Sequence, residues 1–234
     1  METGFKPARM AYGVTSTTFL LSLGIPPAAA SASVHTAEIF TSGASGLSHL
    51  RFGNVDRGLF KKLLIPGVMG GILGAYILVG VPEKMIKPFV AIYLLIMGLL
   101  ILRRALKSKK IQETKVRAKL IPLGLAGGFF DAVGGGGWGP IVTSTLAARG
   151  HNPRFAIGTV NLAEFFVTVS ECATFFLTIG VAHWEIIAGL IIGGVLAAPL
   201  AAYACRKLPS RTLMIIVASL IIALSIRTIY LALP

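Results

Sequence analysis

A small set of side chains combines proton- or ion-handling chemistry with surroundings too apolar for free charge. His35 and Glu38 lie in one long apolar stretch, and Asn161 and Glu164 lie in another. Residues three apart share a helix face, so each pair can converge on one site. A charged group at the centre of a bilayer helix costs at least about 2.5–3.5 kcal/mol on insertion scales, so such groups are candidates for function. The His and Glu groups suit proton or ion coupling, and Asn161 suits hydrogen bonding to a substrate. The plainer alternative makes the glutamates hydrogen-bonded locks between helices. Glu171 follows Glu164 by two turns on the same face, where it either extends a polar track or sits nearer an exit.

Asp131 stands beside a glycine run, in Gly127-Gly128-Phe129-Phe130-Asp131-Ala132-Val133-Gly134-Gly135-Gly136-Gly137-Trp138-Gly139-Pro140. So much backbone freedom breaks a helix. A broken helix exposes amide N–H groups, and a half-helix starting near Trp138 directs a positive dipole end inward. Gly134, Gly135, Gly136, Gly137 and Trp138 therefore form a candidate backbone cradle for an anion. Thr17, Thr143, Ser33 and Thr159 could add hydroxyl donors. Close helix packing is the competing explanation of the glycines, and it is preferred for Gly67, Gly70, Gly71 and Gly74. His49, His151 and His183 fall at segment ends, which favours interfacial roles. Cys172 and Cys205 have no metal-ligand spacing, and no HExxH, CxxC or Walker pattern occurs. Neither a metal nor another cofactor is expected.

The elements that must position these groups are helices in lipid. Of 234 residues 55% are hydrophobic and 13% charged, against about 25% charged in soluble domains; the mean hydropathy is +0.80. Continuous apolar stretches run at 10–24, 28–50, 62–82, 86–102, 119–150, 154–181, 184–205 and 209–233. They do not alternate, so the expectation is an all-α membrane protein of about seven or eight transmembrane or half-membrane helices. The net charge of +13 gathers at the ends of these stretches, where it reads as a topology signal. Nucleic acid is excluded as a partner, because no basic groove is interleaved with exposed aromatics.

The chain repeats itself. At an offset of 126 residues (138 − 12), Tyr12-Gly13 pairs with Trp138-Gly139, Thr17 with Thr143, Gly24 with Gly150 and Pro27 with Pro153. Ser33-Val34-His35-Thr36-Ala37-Glu38 pairs with Thr159-Val160-Asn161-Leu162-Ala163-Glu164. One register step later Gly67-Val68 pairs with Gly194-Val195, Ala75-Tyr76 with Ala202-Tyr203 and Pro82 with Pro209. The division is a first helical repeat at 1–104, a basic cytoplasmic loop at 105–118 and a second helical repeat at 119–234. Residues 1–33 imitate a secretory signal, but their counterpart lies deep inside the chain. The first repeat is expected to lack its opening half-helix.

If residues 119–150 make one broken span, the repeats are parallel; if they make a re-entrant hairpin, the repeats are inverted. With a hairpin Arg51, Arg57, Lys61, Lys62, the 103–119 loop, Arg149, Arg154, Arg206, Lys207 and Arg211 all face inward, leaving mainly Lys84 and Lys87 outside. The positive-inside rule favours that inverted arrangement. Duplicated transporters of this kind place their sites where the repeats meet.

At residues 24–38, at 134–140 and again at 158–164 the sequence resembles the TauE/SafE family of permeases. The likeness covers essentially the whole chain and recurs in both repeats. It implies a multi-pass protein of the bacterial inner membrane, a secondary transporter exporting small anions such as sulfite or organosulfonates with ion or proton coupling. Its expected partners are the small anion, the lipid bilayer and another copy of itself. The sequence departs from the family at Met1 to Met10, where a helix with an acidic residue like Asp131 is usual. Two other functions compete: an intramembrane serine protease, from Gly43-Ala44-Ser45-Gly46, and a non-transporting membrane assembly or sensor subunit. The transporter reading makes the protein no enzyme.

Overall fold

The computed structural model describes residues 12–106, 119–180, 184–193 and 209–232. Among them every regular element is helical: α1 (Tyr12–Ser22), α2 (Pro27–Arg51), α3 (Arg57–Gly80), α4 (Glu83–Leu106) and α5 (Leu120–Gly134). There follow α6, a π-helical turn Gly139–Thr143 continued by Ser144–Ala148, then α7 (Pro153–Ile179), α8 (Trp184–Gly193) and α9 (Ser210–Ala232). Residues 1–11, 107–118 of the basic loop, His183, Cys205 and the repeat partners Gly194-Val195 and Ala202-Tyr203 lie outside the described residues.

Local chemistry fixes the helix starts. Pro27 and Pro153 occupy the first turns of α2 and α7, where the missing N–H costs nothing. Asn152 caps α7 by accepting from Arg154 N, and Asp56 caps α3 by accepting from Gly58 N and Leu59 N. Gly135, in the left-handed region at φ 60°, ends α5.

Four described stretches, Arg57–Gly80, Glu83–Leu106, Arg154–Ile179 and Arg211–Leu231, are long and apolar enough to cross a membrane by length and composition. The 25 residues of α2 would reach about 37 Å at 1.5 Å per residue, although α2 carries His35 and Glu38. Ile65, Met69, Phe89, Leu177 and Ile216 all point outward. That apolar exterior suits lipid and would be a liability in water.

Glycines set the closest helix contact. A Cβ on Gly124 would lie 3.0 Å from Leu63 O, one on Gly128 would meet Gly67 O and Gly71 N, and one on Gly74 would meet Phe129 O and Ala132 Cβ. Levels rise together along both helices, so α3 and α5 run side by side in the same direction. Without Cβ atoms their backbones approach closely, which lipid-embedded helices exploit. Gly127 faces Val142 and Trp138, placing α6 beside α5. Gly46 meets Leu162 while Thr36 meets Cys172, so α2 and α7 are antiparallel.

The buried apolar residues form two clusters. One joins Leu59 and Leu63 of α3, Trp138, Val142 and Leu146, and Ala156 to Val167 of α7. The other joins Val14, Val34, Leu78, Leu94, Phe175 and Ile221. Along α7 the clusters hand over between Val167 and Phe175, and Glu171 lies halfway between them. At the Leu59 end, Arg154 holds Asn54 Oδ1 and Phe52 O, and Arg104 reaches Ser144 Oγ at 2.5 Å. At the other end Arg227 holds Ser22 O.

Candidate functional site

The antiparallel crossing of α2 and α7 sets which polar residues share a level, and it puts His35 opposite Glu171. His35 Nε2 stands 2.8 Å from Glu171 Oε2 and 3.8 Å from Asp131 Oδ2. All three residues are at most 1% exposed. They come from α2, α5 and α7 and occupy the seam between the apolar clusters.

The histidine's tautomer follows from its neighbours. Ser31 Oγ donates its proton to Ala132 O at 2.5 Å, so toward His35 it can only accept. Ser31 O, 2.8 Å from His35 Nδ1, also can only accept. Nδ1 therefore carries a proton, and in the neutral ring Nε2 presents a lone pair to the two carboxylates.

Asp131 also builds the helix break. Its carbonyl accepts the N–H groups of Gly135 and Gly136, and its Oδ1 accepts Gly137 N at 2.5 Å and Trp138 N at 2.8 Å. This corrects the expectation of a cradle of free amides at Gly134 to Trp138: the amides of Gly135 to Trp138 are held by Asp131 itself. The carboxylate, six residues before Gly137, thus occupies the start of α6. The wall around the break is tight. Thr17 Oγ1 donates to Gly135 O at 2.9 Å, a Cβ on Gly136 would meet Val14 N at 2.5 Å, and the Tyr93 ring stacks on Phe130 beside Gly134 and Gly137.

The other candidates separate. Glu38 does not join His35; its carboxylate lies by Gly13, where an added Cβ would stand 2.6 Å from Glu38 Oε1. Asn161 donates to Ser45 Oγ at 3.0 Å, away from the cluster. Glu164 is half-buried on α7. Thr159 Oγ1 accepts Asp56 N at 2.8 Å at the start of α3. Thr143 and Ser33 are fully buried, and their hydroxyls meet no hydrogen-bond partner among the described residues. Glu171, which the helix face alone left between a polar track and an exit, is the central acid. The usable signal was its spacing from Glu164; its depth required the register against α2.

The sulfite exporter TauE/SafE family matches residues 10–228. The probable membrane transporter protein YtnM of Bacillus subtilis (strain 168) is 44% identical over 228 residues, which are 94% of this chain and 76% of that protein. No solved structure matches the chain. An all-helical chain with long apolar helices, a buried ionisable cluster beside a helix break and these matches lead to one assignment: the chain belongs to the TauE/SafE family of membrane transporters.

Proposed function

We propose that this protein exports small anions of the sulfite or organosulfonate class across the bacterial inner membrane, coupled to a cation or proton held at His35, Asp131 and Glu171. The observation carrying this reading is the buried cluster itself, beside a break in the helices of a membrane transporter. Ionisable groups at such depth mark ion pathways in membrane proteins. A buried oxyanion needs donors and compensating charge, and the start of α6 supplies the dipole. Because Asp131 Oδ1 holds the amides of Gly137 and Trp138, the incoming anion competes with that carboxylate, assisted by the hydroxyls of Thr143 and Ser33.

We further propose that α5 and α6 make a hairpin returning to its own side, so that the halves 1–104 and 119–234 are inverted about the 105–118 loop. Supporting this, α6 runs back to the Leu59 end with Leu146, whereas α1 runs from the Gly135–Gly136 contact toward Ser22 and Arg227 at the opposite end. His35, Asn161, Glu38 and Glu164 then occupy equivalent places in the two halves. The protease alternative is disfavoured at Ser45, whose partner Asn161 is an amide unable to take a hydroxyl proton.

Sulfite efflux from loaded proteoliposomes tests the proposal. Wild-type protein is expected to release sulfite faster than protein-free vesicles. Glu171→Gln and Asp131→Asn should slow release at least about tenfold, equivalent to ~1.4 kcal/mol of barrier. Glu83→Gln, which removes only an exposed pair with Lys87, should not slow it. Wild-type flux in Glu171→Gln overturns the coupling role, and no efflux above empty vesicles overturns export of sulfite.

A further inference from the structure

We infer that His35, Asp131 and Glu171 form a binding site for a divalent transition-metal cation, clamping α2, α5 and α7 together. One nitrogen and two carboxylate oxygens, one from each residue, lie within 4.8 Å of one another. Asp131 Oδ2 and both Glu171 oxygens meet no hydrogen-bond donor among the described residues, although all are buried. His35 holds its Nδ1 proton against Ser31 O and Ser31 Oγ, so Nε2 and Glu171 Oε2, 2.8 Å apart, either share one proton or, with both deprotonated, turn two lone pairs toward a metal ion. A proton shared by His35 and Glu171 leaves Asp131 Oδ2, 3.8 Å from Nε2, without a partner, whereas a metal ion serves all three atoms at once.

With all three ligands deprotonated, as metal binding demands, charge balance selects the ion's valence. Two carboxylates and a neutral imidazole sum to minus two, and among the described residues no lysine or arginine is buried to compensate. A divalent cation neutralises the set. Donor type narrows the metal, since a nitrogen with two oxygens suits zinc, manganese, iron or cobalt, whereas calcium and magnesium favour oxygen alone. Zinc-type bonds of about 2.0–2.1 Å put ligand atoms roughly 3–3.5 Å apart, a spacing bracketed by the 2.8 Å and 3.8 Å separations here. The second shell fits as well: ligating histidines donate their other N–H to a carbonyl, as His35 does to Ser31 O.

The test uses the purified full chain in detergent, stripped with chelator and titrated with Co2+ and then Zn2+. About one equivalent of Co2+ should bind with the visible bands of a low-coordinate site and be displaced by Zn2+. His35→Gln and Glu171→Gln should weaken binding by roughly 100-fold or more. Glu83→Gln should bind as wild type. Wild-type protein that takes up no stoichiometric metal overturns the inference whether or not any variant folds, as does unchanged affinity in well-folded Glu171→Gln. Metal binding is read without flux, so its failure leaves anion export standing. Conversely, metal bound by a protein that moves no sulfite overturns only the export reading.

Discussion

Asp131 joins the helix break to the ionisable cluster within one side chain, because Oδ1 holds the amides of Gly137 and Trp138 while Oδ2 faces His35. Two substitutions separate these roles. Asp131→Ala orphans two buried N–H groups, at about 1–3 kcal/mol each, and should lower the thermal unfolding temperature of the purified protein in detergent. Asp131→Asn keeps an oxygen for both amides, so it should unfold close to wild type and yet slow sulfite efflux. Equal stability of the two variants would show that these bonds do not hold the break. Residue types were legible in the sequence: His35, Asp131 and the repeated Glu38 and Glu164 stood out because charge is rare in such surroundings. Which of them meet was not. Helical spacing put His35 with Glu38 and Asn161 with Glu164, but the partner of His35 depends on how far α2 slides along α7, and that is fixed by the contacts of Gly46 with Leu162 and Thr36 with Cys172.

Helix positions were readable because each apolar stretch ends at a proline, a cap or a basic run, as at Asp56, Pro153 and Asn152. The glycines carried two meanings that composition alone does not separate. Gly128 lies against the backbone of α3, where a methyl would meet Gly67 O and Gly71 N, so Gly128→Ala should cost about 1–3 kcal/mol through forced separation of α3 and α5. A Cβ added at Gly80 would have nothing within 4 Å, and Gly80→Ala should stay within about 0.5 kcal/mol of wild type. At Gly135, φ 60° adds roughly 1–2 kcal/mol of backbone strain to the encounter of any side chain with Thr17. Thermal unfolding in detergent should therefore place Gly128→Ala and Gly135→Ala below wild type and Gly80→Ala beside it. A full loss in Gly80→Ala would contradict this division.

Over the whole molecule, the end held by Arg154 and Arg104, where α3 starts at Arg57, is basic, and Lys84 and Lys87 lie across the bundle. The positive-inside rule then directs the first set to the cytoplasm. A membrane-impermeant maleimide should label Lys84→Cys in spheroplasts and Lys61→Cys only after permeabilisation, in a background of Cys172→Ser and Cys205→Ser. The reverse pattern would invert the orientation and with it the direction assigned to export. The buried indole of Trp138 gives the molecule an optical readout of its own. It is fully enclosed, donates to Val160 O at 3.1 Å and directly follows the glycine run, whereas the other tryptophan, Trp184, is 64% exposed. In Trp184→Phe the emission comes from one chromophore in the wall of the break. Its spectrum should start blue-shifted, and a change on adding sulfite would report rearrangement at the break in real time, without a label and before any ion has crossed.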